Sequence, residues 1–189
     1  MSFIFRERIR DVFEPPRYLA LHFSGIDLST SGVKAVRIAK GTHGLTLAGY
    51  ADARLPSGAF IDGEIVDHSV VAIALATAAK AAGISSANVS LPESKSYLFE
   101  TTVQGANISE WRTSVEQHID ELIPLPPQET AFDIVRVGNA EHGDVLVVGI
   151  GFARRIVDDT LSVFDLANIG VRALEGETFA SSRSLLHFG

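Results

Sequence analysis

The sequence predicts an α/β fold: a mixed five-stranded sheet with helices, interrupted by a small inserted β-α-β-β unit. Three observations predict it. Three β-rich stretches follow one another through short turns, which favours an antiparallel meander. Helical and strand periodicities then alternate towards the end of the chain. From Pro92 the composition shifts, and a self-contained strand-helix-strand-strand pattern sits inside the larger alternation.

Residues 1–16 form an N-terminal amphipathic segment. Phe3, Phe5, Ile9, Val12 and Phe13 recur at helical spacing with arginines between them, and Pro15-Pro16 ends the run. A short helix packed on its own domain, or a frayed terminus, is preferred over a membrane-surface or partner-binding helix.

Tyr18–Asp27, Val33–Lys40 and Leu45–Leu55 are rich in Val, Ile, Leu and Tyr. The turns Ser29-Thr30-Ser31-Gly32 and Gly41-Thr42-His43-Gly44 separate them. Ser69–Ala82 is a helix carrying Val70, Ile73, Ala74, Ala78 and Ala81 on one side, with Gly83 as its C′ residue. Asn88–Leu91 is a buried strand. Glu93–Thr102 is a polar strand that opens the inserted unit. Asn107 and Glu110 are spaced as a capping box. Ile108, Trp111, Val115, Ile119 and Leu122 then form one apolar helical stripe, stopped at Pro124 and Pro126-Pro127. Thr130–Val137 and Val145–Phe152 are strands joined around Asn139–Gly143. Arg154–Asn168 is a helix with Val157, Leu161 and Phe164 inward, closed by Gly170. Val171–Leu174 is a strand and Glu177–Leu186 a helix.

The chain therefore divides into a large domain over 17–92 and 153–189, with an inserted subdomain over 93–152. Without the insertion the order is β-β-β-α-β-α-β-α, that of a ribonuclease H-like half-domain.

The bulk numbers narrow the function classes. A net charge of −7 argues against a general nucleic-acid binder, which needs a basic face. Zero cysteines exclude disulfides, thiolate nucleophiles and Cys-based zinc sites. No apolar run approaches the ~18 residues that cross a bilayer, and no secretory signal opens the chain. A cytoplasmic protein is expected.

Gly25-Ile-Asp-Leu-Ser-Thr-Ser-Gly32-Val-Lys34 joins the first two strands. A hairpin of small hydroxyl residues turns backbone N–H groups towards an anion. Asp27 would hold water around Mg²⁺, and Lys34 would neutralise phosphate oxygens. The competing reading is a polar turn closed by Gly32, with Asp27 bonding the turn's own amides.

This segment resembles the first phosphate loop of the actin superfamily, and most closely its PilM branch, which reads G-I-D-I-G-x-x-x-V-K-A-V. Further stretches resemble the same branch in the same order: Leu55-Pro-Ser-Gly-Ala-Phe-Ile-Asp-Gly-Glu-Ile-Val-Asp67, Val89-Ser-Leu-Pro92, Glu121-Leu-Ile-Pro-Leu-Pro126 with Asp133, and Glu177-Thr-Phe-Ala180 with Arg183. The resemblance implies an actin-like fold with an inserted subdomain termed 1C. It implies ATP binding with Mg²⁺ through Asp27, Ser29, Thr30, Ser31, Gly32 and Lys34. It also implies a scaffold of type IV pilus assembly, peripheral to the inner membrane through its partners. The N-terminal cytoplasmic tail of PilN, a single-pass protein, would dock between the large domain and 1C. Ser29 stands where the family has glycine, and its Cβ would crowd the phosphate. A complete family member continues with a second, similar half. Weak or absent ATP binding, and no turnover, are therefore expected of this chain.

Leu122, Ile123, Pro124, Leu125 and Pro126 place apolar groups at a rigid helix exit. They either cover the subdomain core or wall a groove for a partner segment. Trp111 belongs to the core. Glu175 and Glu177 most simply favour the positive end of the last helix; by resemblance, Glu177 lies where actin-fold ATPases position the attacking water. Gly149-Ile-Gly151-Phe-Ala-Arg154 lacks the third glycine of a dinucleotide fingerprint. His118, with Glu116 and Glu121, lacks a dense ligand pattern. The alternatives to a pilus scaffold are a nucleotide-dependent ATPase or phosphotransferase half, and a related scaffold of the FtsA or GspL type.

Overall fold

A computed structural model describes residues 23–41, 44–140 and 143–185. The amphipathic segment 1–16 lies outside the described residues, as do positions 18–22 of the first expected strand.

The meander forms as β1 (Phe23–Ser29), β2 (Gly32–Gly41) and β3 (Gly44–Ala53). A two-residue ladder follows, β4 (Phe60–Ile61) with β5 (Glu64–Ile65). Its turn, Asp62-Gly63, has positive φ at both positions (49° and 81°), the geometry that makes Asp-Gly a hairpin signal. This small hairpin adds to the elements expected from the sequence. Helix α1 (His68–Ala82) begins at Asp67, whose side chain accepts from the Val70 N–H, and ends at Gly83 in the left-handed region. Strand β6 (Ser86–Leu91) then enters the interior of the sheet beside β1.

The five-stranded sheet has the order β10-β6-β1-β2-β3. Its β1-β2 and β2-β3 pairs are antiparallel, and its β1-β6 and β6-β10 pairs parallel. The mixed sheet expected from the sequence is thus present. Helices α1 and α4 (Arg154–Leu166) bury one face of it. The core holds Ile26, Leu28, Val33 and Val89 from the strands, Val71 and Leu75 from α1, and Val163 and Phe164 from α4.

The expected helical stripes are turned about their axes. In α1 the buried set is Val71, Ala72, Ala74, Leu75, Ala78, Ala79 and Ala82, while Ala81 is exposed and Ile73 is 68% exposed. This helix is apolar nearly all round, so spacing alone does not fix its phase. A backbone contact does: a Cβ on Gly49 of β3 would run into the Ala82 carbonyl. In α4 the buried residues are Ile156, Thr160, Val163 and Phe164, with Leu161 exposed and Val157 half-buried. Thr160 is tolerated inside because its hydroxyl donates to the Ile156 carbonyl at 2.7 Å. Asn168, at φ 56°, takes the left-handed position after α4; Gly170 instead starts β10 (Gly170–Gly176). Helix α5 (Glu177–Leu185) follows.

The inserted unit leaves after β6 and returns before α4. A short 3₁₀ turn at Glu93–Lys95 precedes β7 (Ser96–Val103), so the expected strand start moves by three residues. The forward half of the expected Asn107–Glu110 capping box forms, with Asn107 Oδ1 accepting from the N–H groups of Ser109 and Glu110, while Glu110 reaches one residue further back and accepts from Ala106 N–H and from the Asn107 side-chain amide. The single expected helix is two, α2 (Ile108–Glu116) and α3 (Ile119–Leu122). The last turn of α2 tightens, with His118 N–H reaching Val115 O at 3.0 Å, and the chain restarts. Ile108 is exposed, while Val115 and Ile119 are buried. Strands β8 (Thr130–Asn139) and β9 (Val145–Ala153) complete a three-stranded sheet of order β7-β9-β8. Its separate core gathers Phe99, Val103, Val115, Ile119, Ile123, Ile134 and Val147, with Trp111 packed against it. Gly149 and Gly151 lie within β9, where a Cβ would strike the Phe99 ring and the Ile123 side chain respectively. They are small for packing, which accounts for the fragmentary dinucleotide pattern.

Candidate functional site

Strand register places five side chains in one row across the larger sheet: Glu175, Ser90, Asp27, Lys34 and Asp52. Directly paired residues point to the same face, here the one opposite the Ile26–Val89 core. Ser90 Oγ donates to Asp27 Oδ1 at 2.6 Å. Asp27 is thus held from the neighbouring strand by Ser90. The Thr30-Ser31 turn above it is closed by its own hydroxyls. Ser29 Oγ lies 2.9 Å from Ser31 Oγ and donates to the Gly32 carbonyl at 3.3 Å, and Lys34 Nζ donates to Ser31 Oγ at 3.0 Å. Gly32 has a structural duty: at φ 139°, a Cβ there would collide with the Ala53 carbonyl of β3.

As a phosphate cradle the set fits in part. Lys34 supplies a cation, Thr30 and Ser31 supply exposed hydroxyls, and Asp27 supplies a half-buried carboxylate for a hydrated cation. The Ser29 hydroxyl occupies the inside of the turn, where a glycine would leave the backbone open. Glu177 stands exposed at the start of α5, two residues beyond the Glu175 row. The first turn of α5 is also approached by Glu93, whose Oε2 accepts from Thr178 N–H at 3.4 Å.

A second site lies between the inserted unit and α4. Here a cavity of about 540 Å³ opens between Lys95, Tyr97 and Leu125 on one side and Arg155, Ile156 and Asp158 on the other. The helix exit predicted to matter divides in two. Leu125 lines this cavity, and Pro124 and Pro126 are exposed beside it. Leu122 is half-buried against the subdomain core. Ile123 is 1% exposed, so it belongs to the core and is inaccessible to a partner. The reason is the short α3 turn: Ile123 N–H bonds Ile119 O at 2.8 Å and carries the side chain inward. The loop is fixed from behind. Arg154 donates to the Gln128 carbonyl (3.2 Å) and the Thr130 carbonyl (2.9 Å), and Thr130 Oγ1 donates to the Pro126 carbonyl (2.9 Å). Asp133 pairs with Arg112 at 2.9 Å, and the same guanidinium lies over the Phe132 ring at 4.7 Å, which fastens α2 to β8.

Glu64 is a residue that sequence reasoning misses. Its carboxylate accepts from Lys95 Nζ at 2.7 Å and from Arg155 Nη1 and Nη2 at 2.6 and 2.8 Å. These bonds, Arg155 first, lower its pKa from 4.5 to about 2. The Asp-Gly dipeptide before it is the available signal for a hairpin tip; nothing local names its partners. Among the described residues no group of histidine and acidic side chains is arranged to hold a metal, His118 included. No helix of the described residues is long and apolar enough to cross a membrane.

Residues 25–188 match the family described as type IV pilus assembly protein PilM. The chain belongs to the PilM family. A chain of a solved PilM-PilN type IV pilus biogenesis complex is similar in structure, at TM-score 0.78 and 19% identity over 88% of this chain. This chain spans about half of that one, 50%. The cytoplasmic domain of EpsL, an inner-membrane component of the type II secretion system of Vibrio cholerae, is also similar. There the TM-score is 0.56 and identity 13%, covering 85% of this chain and 59% of that one. No curated protein sequence matches. The mixed sheet with its helices agrees with the actin-like fold anticipated from element order, and the family match favours the PilM reading over the FtsA or GspL type.

Proposed function

We propose that this chain is a scaffold of type IV pilus assembly that holds the N-terminal cytoplasmic tail of a PilN-like inner-membrane protein. The cavity between the inserted unit and α4 carries the reading. It is large enough for several side chains, it has apolar walls in Tyr97, Leu125 and Ile156, and its rim is charged. A proline-braced loop and the Arg154 bonds preorganise one wall, which lowers the entropic cost of capturing a flexible tail. The similar solved structure is that of a PilM-PilN complex. Through that tail the protein would sit on the cytoplasmic side of the inner membrane, peripherally. Isothermal titration of the folded chain with a synthetic PilN tail peptide tests the proposal. Saturable heat is expected; no heat at high micromolar peptide would count decisively against it.

The hairpin favours a subordinate role in nucleotide binding. Lys34 and the hydroxyls of Thr30 and Ser31 would contact phosphate, and Asp27 would hold Mg²⁺ through water. Ser29 in the glycine position supports weak binding of ATP. The turn closed on its own hydroxyls favours scaffolding over ATPase or phosphotransferase activity, and Glu177 is at most an accessory carboxylate. Hydrolysis of ATP by this chain, lost in Asp27→Ala, would reverse that order.

A further inference from the structure

The inserted unit joins the larger domain through two crossings, the 92–95 turn after β6 and the Ala153–Arg154 junction before α4. Nothing in the covalent chain sets the angle between the two sheets at these points. A single carboxylate grips both crossings: Glu64 bonds Lys95 beside the first and Arg155 just past the second. Both cations line the candidate groove.

The base of this grip is rigid. Glu64 follows the Asp62-Gly63 turn of the β4-β5 hairpin, and Val66 N–H and Asp67 N–H both bond the Ala59 carbonyl. Asp67 in turn caps α1. The hairpin is therefore continuous with the main core. Its tip also presses on the first crossing: a Cβ on Gly63 would lie 2.9 Å from Ser94 Oγ, 3.0 Å from Lys95 Cγ and 3.2 Å from Pro92 Cβ. The Lys95 arm is half-shielded, with Glu64 and Lys95 side chains 31% and 28% exposed, whereas the Arg155 side chain is 59% exposed.

We propose that Glu64 is a positioning residue for the groove: by holding Lys95 and Arg155 together it fixes the inserted unit against α4 and sets the width of the groove between them. This rests on the peptide-binding reading above. Without the carboxylate, two cations face each other across the groove and repel. Bidentate geometry makes the Arg155 arm directional as well as attractive. The consequence is a change in peptide affinity from a residue whose carboxylate is already occupied by the two cations.

The chain has no cysteine, so spin labels can be placed at Lys80→Cys on α1 and Glu116→Cys on α2 without background. Double electron–electron resonance then reads the distance between domain and insertion. A narrow distribution is expected for the parent, and a broader or shifted one for Glu64→Gln. PilN tail peptide should bind Glu64→Gln roughly fivefold more weakly or worse. Lys95→Met breaks one arm only and should fall between the two, which keeps the test decisive should the Glu64→Gln variant fail to fold. Superimposable distributions would overturn the proposal, as would a broadened distribution with unchanged affinity or weaker binding at unchanged distance. Failure of the parent to bind peptide would sink the groove reading alone, because the distances still judge Glu64.

Discussion

Glu64 and Arg155 lie 91 positions apart and meet in a two-pronged ion pair, with N–O separations of 2.6 and 2.8 Å. Lys95 completes the triad at 2.7 Å. Three segments remote in sequence converge there, and their meeting point borders the groove.

The triad predicts a pH dependence with a definite sign. The Glu64 pKa is lowered on folding, so its contribution to stability is fully present above the unfolded value near 4.5 and is lost as pH falls through about 2. Arg155 is shifted up, chiefly by its hydrogen bonds to Glu64, and stays charged throughout. Urea midpoints of the parent and Glu64→Gln, measured from about pH 7 down to about 2, should keep a constant gap to about pH 4.5 and then converge. A gap independent of pH would show that charge is not the cause.

Ile123 and Leu125 should separate stability from binding. Ile123→Ala opens a cavity in the inserted unit's core and should cost about 2–5 kcal/mol in chemical denaturation. Leu125→Ala should cost less stability but weaken PilN tail binding about tenfold, as loss of a central apolar anchor does. Equal effects of the two variants on peptide affinity would contradict this division.

Gly149→Ala should destabilise by about 1–3 kcal/mol, because the new methyl enters the space of the Phe99 ring. Phe99→Leu in the same chain should recover part of that loss. A double-mutant cycle in urea reads the coupling, and additive effects would disprove the contact.

Ser29→Gly should tighten binding of a fluorescent ATP analogue with Mg²⁺, by roughly a few-fold, through restored backbone approach. Asp27→Ala should weaken it. No change with glycine at position 29 would mean that the serine is not the obstacle.

What the sequence determined by itself was local or carried by family motifs. The Asn107–Glu110 box, the left-handed Gly83, the proline stops and the strand alternation each depend on neighbours within a few positions, so they were legible. The colinear motifs supplied the fold family. They placed Asp27 beside Lys34, directly paired in the sheet. What only the tertiary structure decided was orientation and long-range meeting. The phase of α1 was set by the approach of Gly49 to Ala82, not by a helix that is apolar on most sides. Ile123 turned inward because α3 is a single short turn. Gly32 and Gly149 proved to be required by β3 and by Phe99, whereas a glycine in a string of letters cannot say which neighbour needs it small. Ser90 reached Asp27 from 63 positions away, and Glu64 found Lys95 and Arg155 only because the insertion folds back on the domain it leaves. Backbone propensity acts over a few residues, whereas such contacts depend on the path of the whole chain.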